Sequence, residues 1–321
     1  MKTLTARTPE DLLAMVPCVL GFHPEQSIVM LTFGDASSTF QARIDLPGCT
    51  EEIDDVVDCL LEPAEHHGVR TAVLVGYAPD TELVAETLIA LTQELESAGV
   101  RVVEVLRVHD GRWFWGRPEL SELAPEGIAF DLDDHEFIAE SVFEGRVTHA
   151  SREALADSLV GTDTQTTKLV EAAAFEAAGS WGRVQLAAEA RWVRDVVVAH
   201  VSAHTVPTVQ ELGRLLVAIQ EICLRDVAWA QVTRATATEH VAFWSEVVRR
   251  TPAGFIAPAA SLLAFSAWLN GQGALAWCAV DRAILCEPDY SLAGLVGEAL
   301  LRAVRPDTWT PPPGLDLLAS S

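Results

Sequence analysis

Residues 69–111 read VRTAVLVGYAPDTELVAETLIALTQELESAGVRVVEVLRVHDG, and the fold turns on how this stretch is parsed. Val69 to Tyr77 is a short apolar run of strand character. Thr81 to Ala98 repeats its apolar residues at helical spacing and stops at Gly99, and Val100 to Val108 is a second strand. Strand, helix and strand in that order form a crossover whose two strands run parallel. Upstream, Ser27 to Phe33 is apolar, Gly34 to Ser38 supplies turn residues, and Phe40 to Leu46 alternates before Pro47-Gly48, so the pair reads as a β-hairpin. Between hairpin and crossover, Ile53, Val56, Val57, Leu60 and Leu61 mark a helix behind an acidic first turn, ended by Gly68. Downstream, Asp110-Gly111 signals another hairpin. Trp113-Phe114-Trp115 follows, and strand alternation puts both tryptophans on one side of the sheet; core packing is the expected role and an aromatic ligand platform the alternative.

This order has a topological consequence. The crossovers make the second, third and fourth strands mutually parallel, and the hairpin sets the first antiparallel to them. The start of strand one then shares the carboxyl edge of the others. That edge collects Gly21 to Glu25, Asp45 to Pro47, Tyr77 to Asp80 and His109 to Arg112. Ligands of open α/β sheets bind outside strand carboxyl ends, so His23, Glu25, Asp45, His109 and Asp110 are the candidate polar groups and Arg112 a candidate anion contact. The competing explanation is that loops must lie at one edge or the other without any function.

From about Leu120 to Ala150 the patterns weaken around Pro118, Pro125, Gly127 and the acidic 131–134 segment, which reads as a connection. After Ser151 strand signals vanish, and Ala, Leu and Val periodicities run nearly to the end. The expected architecture is therefore an α/β domain with a mixed sheet over 1–120, a linking region over 121–150 and an all-helical domain over 151–321. Near its end, Ala260, Leu263, Ala264 and Ala267 form one helix face, followed by Ala276, Val280, Ala283 and Pro288. The spacing is that of a degenerate tetratricopeptide-like helical pair; a single such unit packs, whereas a peptide groove takes about three. A four-residue likeness between Val193-Arg194-Asp195-Val196 and Leu224-Arg225-Asp226-Val227 is short enough to arise by composition.

Composition narrows the chemistry. The 321 residues carry 22 Lys plus Arg against 46 Asp plus Glu, a formal charge of −24, and no basic run interrupts it. Nucleic acid and anionic membranes are therefore not expected partners, because both are held by basic side chains. The lysines, Lys2 and Lys168, stand in neither a P-loop nor a Schiff-base context, and no G-x-G-x-x-G or G-x-S-x-G occurs. No cofactor is implied. Six cysteines without CxxC spacing and no basic-flanked export segment point to a reducing cytoplasm. The stretch Leu12 to Phe22 is apolar but broken by Pro17, and no apolar run reaches the ~18 residues of a membrane span.

Isolated metal-like patterns are incomplete. His23-Pro24-Glu25 has the first half of a deaminase signature without the P-C-x-x-C half. His200 and His204 stand at i and i+4 with Val201 where a zinc-protease glutamate would be, and no third ligand is evident. No metal site is expected.

Asp11-Leu12, Val16-Pro17, Leu20-Gly21-Phe22 with Pro24, and Ser27-Ile28-Val29 form an opening signature that resembles the domain of unknown function 4192 family of actinobacterial proteins. Asp45-Leu46-Pro47, Asp110-Gly111-Arg112-Trp113, Ser151-Arg152-Glu153, Arg194-Asp195, Trp268-Leu269, Gly273 to Ala276 and Tyr290-Ser291-Leu292 extend the likeness over nearly the whole chain. The resemblance implies no activity, cofactor or catalytic residue. Family members often carry a cysteine pair before a proline downstream of the Asp-Gly-Arg turn; here Leu123-Ala124-Pro125 stands there, which speaks against a cysteine-based metal or redox site. Two readings follow: a noncatalytic interaction or regulatory protein with an unidentified protein partner, or an enzyme or small-molecule sensor that uses the carboxyl-edge loops. Sequence leaves the oligomeric state open.

Overall fold

The structure is a computed structural model that describes residues 5–34, 40–79, 82–143, 145–183 and 185–310. Residues 35–38 of the expected first turn and Asp80 of the expected edge lie outside these. The chain divides into two compact units, residues 1–152 and 153–321.

The first unit begins with α1 (Pro9–Leu20), which the sequence reading treated only as a broken apolar stretch. Its start is fixed by a capping box, with Thr8 accepting from the Asp11 amide and Asp11 accepting from the Thr8 amide, and by Pro9 in the first turn. Pro17 sits inside the helix and is buried along with Leu13, Ala14 and Val16. Next come β1 (Ser27–Phe33), β2 (Gln41–Asp45), α2 (Ile53–His66), β3 (Thr71–Tyr77), α3 (Glu82–Ser97), β4 (Arg101–His109), β5 (Arg112–Trp115), β6 (Ile128–Ala129) and α4 (Glu136–Phe143). The six strands form one mixed sheet in the order β2-β1-β3-β4-β5-β6. β1 is antiparallel to both β2 and β3, and β3 is parallel to β4, so β2, β3 and β4 share a direction as the crossover argument requires.

The sheet is covered on both faces. Ile28, Met30, Leu74, Val102 and Val105 pack with α2 and α3 residues such as Val57, Leu60, Leu88 and Leu91. Val29, Leu31, Val73, Val75, Leu106 and Trp113 pack with Leu13 and Val16 of α1, against which α4 lies. β1 is buried on both faces, which is why it reads as an unbroken apolar run rather than an alternation. Trp113 and Trp115 both join the α1-side core, edge to face with ring centroids 4.9 Å apart, so core packing is their role.

Residues 121–150 differ from the expected connection. They supply β6, which pairs with β5, and α4, which packs on α1, so this stretch is part of the first unit. The physical reason is long-range anchoring without local periodicity. Arg112 Nε donates to Glu126 O at 2.6 Å, and the Cys18 thiol lies 3.6 Å from Phe137 O.

The second unit is helical: α5 (Arg152–Asp157), α6 (Thr164–Ser180), α7 (Leu186–Ala203), α8 (Val209–Ala218), α9 (Ile222–Ala230), α10 (Ala237–Arg250), α11 (Ile256–Leu269), α12 (Gly273–Cys286) and α13 (Ser291–Leu301). α11 is buried along its full length, with α9, α10, α12 and α13 packed around it. Ala260, Leu263, Ala264 and Ala267, with Ala276, Val280 and Ala283 of α12, are all fully buried, and small residues let the two helices approach. The two Arg-Asp sequences fall on α7 and α9, which pack together. Each arginine bonds its following aspartate, Arg194 to Asp195 at 2.9 Å and Arg225 to Asp226 at 3.0 Å.

Burial of one histidine is expected to make this unit acid-sensitive. His240 on α10 is 2% exposed, and burial pushes its pKa down to about 4 although a hydrogen bond with the Gln231 backbone and the nearby Glu239 act the other way. The unfolded chain takes up this proton near pH 6.5 and the folded one does not, so the unfolded state binds more protons between about 6.5 and 4. Stability is expected to fall by about 2–3 kcal/mol as pH drops through that window. His240→Phe should flatten that part of a urea-midpoint-against-pH curve; an unchanged slope would show that His240 is not its source.

Candidate functional site

The carboxyl edge assembles as the topology requires. Gly21 adopts φ 80°, a left-handed conformation that ends α1, and its N–H bonds Pro17 O at 2.9 Å. Phe22 is then buried and bridges to His149, with His23 N donating to His149 O at 3.0 Å and His149 N to Gly21 O at 2.8 Å. Buried Pro24 biases His23 toward extended backbone, which leaves the His23 ring exposed. Glu25 contributes its main chain: Arg43 Nη2 donates to Glu25 O at 3.3 Å, Nη1 pairs with Asp45 at 2.7 Å, and the guanidinium lies over the Phe22 ring. The structure thus brings Glu25 and Asp45 together through Arg43, a residue that sequence reasoning passed over because it sits in an ordinary alternating strand.

Register places Asp45 opposite Ser27, Ser27 opposite Tyr77, Tyr77 opposite Val108 and Val108 opposite Trp113, one row across the edge on the α1 face. Burial pushes the Tyr77 phenol far above its ordinary range, so it stays protonated. Ser27 Oγ is buried with no hydrogen-bond partner among the described residues.

His109 and Arg112 alternate to the opposite face. Asp110 and Gly111, at φ 51° and 65°, make the tight turn, with His109 opposite Arg112. His109 Nε2 lies 3.6 Å from the exposed Asp110 carboxylate. Arg112 is committed elsewhere, because Nε donates to Glu126 O and Nη2 to Gly127 O at 2.9 Å. The expected anion contact is a backbone clamp. Arg112→Ala is expected to lower stability by about 1–2 kcal/mol, whereas His23→Ala at an exposed ring should change it by less than about 0.5 kcal/mol. Thermal melts of the two variants check the contrast, and equal effects would refute it.

A second polar cluster escaped the sequence reading. Glu10 accepts from Trp113 Nε1 at 2.9 Å, and Asp11 Oδ1 accepts from His135 Nε2 at 3.1 Å. His135 Nδ1 takes the Phe137 amide at 3.2 Å, which assigns the ring proton to Nε2. Burial raises the Asp11 pKa, but the Arg7 and Thr8 amides and His135 together outweigh it and leave the carboxyl below its ordinary value. Both ring nitrogens of His135 are engaged, so the pair latches the 131–137 segment onto α1 and keeps no nitrogen for proton transfer. Thr8-Pro9-Glu10-Asp11 is the signal that would have revealed the helix start.

In the second unit His204 has left the helix at φ 51° as the cap of α7. His200 bonds Thr205 Oγ1 at 2.8 Å and lies 3.5 Å from Glu211. The two rings do not share a ligand position, and no group of three metal-ligating side chains occurs among the described residues. None of the six cysteines is joined in a disulfide. No helix among the described residues is long and apolar enough to cross a membrane.

Fold and edge together define a two-unit protein, a mixed α/β sheet unit followed by a helical one, whose candidate polar groups mostly anchor loops. The chain belongs to the family described as domain of unknown function DUF4192, which matches residues 9–307. No curated protein and no solved structure gives a significant match.

Proposed function

We propose that this is a noncatalytic interaction or regulatory protein of the cytoplasm, in which the α/β unit is a scaffold and the helical unit offers contact surface. The observation that carries this reading is the division of the edge. Asp45 and Tyr77 lie on one sheet face, His109 and Arg112 on the other, and Arg43 and Arg112 are bound to main-chain carbonyls. Acid–base or ligand chemistry needs such groups to converge within hydrogen-bond reach. Free cysteines support a reducing compartment, and the −24 charge opposes nucleic acid as a partner. The α11–α12 pair serves as tetratricopeptide-like packing, while Leu285, Leu295 and Leu301 on the later helices are 85%, 58% and 72% exposed and suit protein contact. Affinity capture from native lysate, with mass spectrometry of proteins and metabolites, tests this. A reproducible protein partner that His23→Ala and His109→Ala both retain is expected. A stoichiometric metabolite lost on either substitution would replace this reading with the sensor or enzyme one.

A further inference from the structure

The chain leaves α13 through Ala303, whose φ of 47° is left-handed, a backbone disfavoured for a residue with a Cβ. Pro306–Thr308 then forms one 3-10 turn shaped by the segment's own bonds. The Thr308 amide and hydroxyl donate to Arg305 O at 3.1 and 2.7 Å, the Trp309 amide donates to Pro306 O at 3.3 Å, and the Arg305 guanidinium pairs with Asp307. The hold on the helices is different in kind. Trp268 Nε1 donates to Val304 O at 3.1 Å. The Trp309 ring lies parallel to that of Trp229 on α9, centroids 5.5 Å apart, and edge-on to Phe265 on α11 at 5.3 Å. Trp229 and Phe265 also meet edge to face at 5.3 Å, and Phe265 reaches Trp268 at 5.6 Å. A short turn thus seats one tryptophan on an aromatic surface, while Asp307, Thr308 and Thr310 beside it stay exposed.

From this seat we infer that Trp229, Phe265 and Trp268 form a docking site for a linear partner segment of the pattern Pro-x-x-Trp, and that Pro306 to Trp309 covers it in cis as an autoinhibitory strap. The chemistry of the partner is read from the segment that occupies the seat: a proline that presets the turn and a tryptophan that fills the aromatic contact. Tryptophan is also enriched among the residues that anchor protein contacts. Two observations make the strap releasable. Trp229 Nε1 and Trp309 Nε1 are both buried without a hydrogen-bond partner among the described residues, so closure strips two donors of water and returns nothing to them. The approach to the seat also passes through the disfavoured backbone of Ala303. A partner segment that brings a carbonyl or carboxylate oxygen to the Trp229 N–H satisfies a donor the strap leaves bare, and so competes with it. Release lays open part of Phe265 and Trp268, which are 3% and 8% exposed with the strap in place. The inference rests on the proposed role of the helical unit as contact surface and supplies the site and the kind of partner.

The test adds a fluorescein-labelled peptide of Val304 to Thr310 to the full chain and follows its anisotropy. In wild type the tethered strap competes at an effective concentration of about 1 mM, so a peptide with a Kd of about 0.1 mM for the open seat binds about tenfold more weakly there. Trp309→Ala vacates the seat and is expected to bind the peptide about tenfold or more tightly than wild type does. A peptide carrying Trp309→Ala should not bind, and the protein Trp229→Ala/Trp309→Ala should lose the wild-type peptide. The peptide change leaves the protein untouched, so misfolding cannot account for its effect. Equal affinity for wild type and Trp309→Ala, no binding to Trp309→Ala up to about 1 mM, or binding of the altered peptide would each overturn the inference. Capture from lysate separates it from the reading it rests on. A protein partner held equally by wild type and Trp309→Ala overturns the strap and leaves the contact role standing, whereas a metabolite lost on His23→Ala overturns that role and leaves the peptide result intact.

Discussion

Arg214→Ala is expected to destabilise the helical unit by about 3 kcal/mol, the lower end of what losing one partner of a buried ion pair costs. Glu189 lies in the first turn of α7 and is 2% exposed. Its two oxygens accept from Arg214 Nε at 2.9 Å and Nη2 at 2.6 Å, the bidentate geometry only a guanidinium supplies. The Arg214 guanidinium also stacks 3.9 Å from the Trp192 ring centroid, so one side chain straps α7 to α8 by charge and by packing. Truncation leaves the Glu189 carboxyl buried without its donors. The lower end of the range applies because Arg214 is 44% exposed, and water can reach part of the site once the guanidinium is gone. Arg214→Lys keeps the charge but not the fork and should fall between wild type and alanine. The double variant Glu189→Leu/Arg214→Met should recover most of the loss, because it removes the stranded carboxyl as well as the pair. Urea denaturation followed by tryptophan fluorescence measures all three. A loss under about 1 kcal/mol for Arg214→Ala would mean that water solvates Glu189 as well as the guanidinium does.

Legibility of the fold tracked the range of the interactions that make it. β1, β3 and β4 are apolar runs bounded by turn residues, and the crossover rule orders their directions, so the sheet and its carboxyl edge could be read from local pattern. α1 could not, because Pro17 reads as a break. Burial of Leu13, Val16 and Pro17 against the sheet outweighs a proline cost of about 3 kcal/mol, and local propensity cannot weigh that. β6 and α4 are held by Arg112, Asp11–His135 and Cys18, contacts between residues far apart in the chain that leave no periodic trace. The candidate site was legible as an edge but not as a face. Placing Asp45 with Tyr77 and apart from His109 takes strand register, and β3 and β4 shift register between Ala72 and Val73, which sequence alternation does not show.

Gly161→Ala is expected to cost about 3 kcal/mol or more, at the top of the range for overpacking. A Cβ built on Gly161 would stand 1.8 Å from the Arg249 carbonyl oxygen and 2.9 Å from its carbon, inside any possible contact and against backbone rather than a flexible side chain. Something must move, and neither partner is free to do so. On one side, Leu159 is 1% exposed, and the Ser158, Leu159 and Val160 amides are bonded back to Ala154, Ala156 and Asp157. On the other, Arg249 belongs to the last turn of α10, where the Thr251 amide bonds Val248 O and the Thr251 hydroxyl bonds Val247 O at 2.7 Å. Arg249 Nε also donates to Ser158 O at 2.8 Å, so displacing the 158–161 segment breaks the bond that locates it. Alanine would reduce the entropy of the unfolded chain and favour folding by about 0.4–1 kcal/mol, far too little to offset the clash. Gly294 in α13 provides the opposite sign: a Cβ there meets nothing within 4 Å, and alanine should stabilise by about 0.5–1 kcal/mol through helix propensity alone. Chemical denaturation of both variants beside wild type decides the matter. Gly161→Ala within about 0.5 kcal/mol of wild type would mean that the loop between α5 and α6 can leave α10 without loss, and that Arg249 does not anchor it.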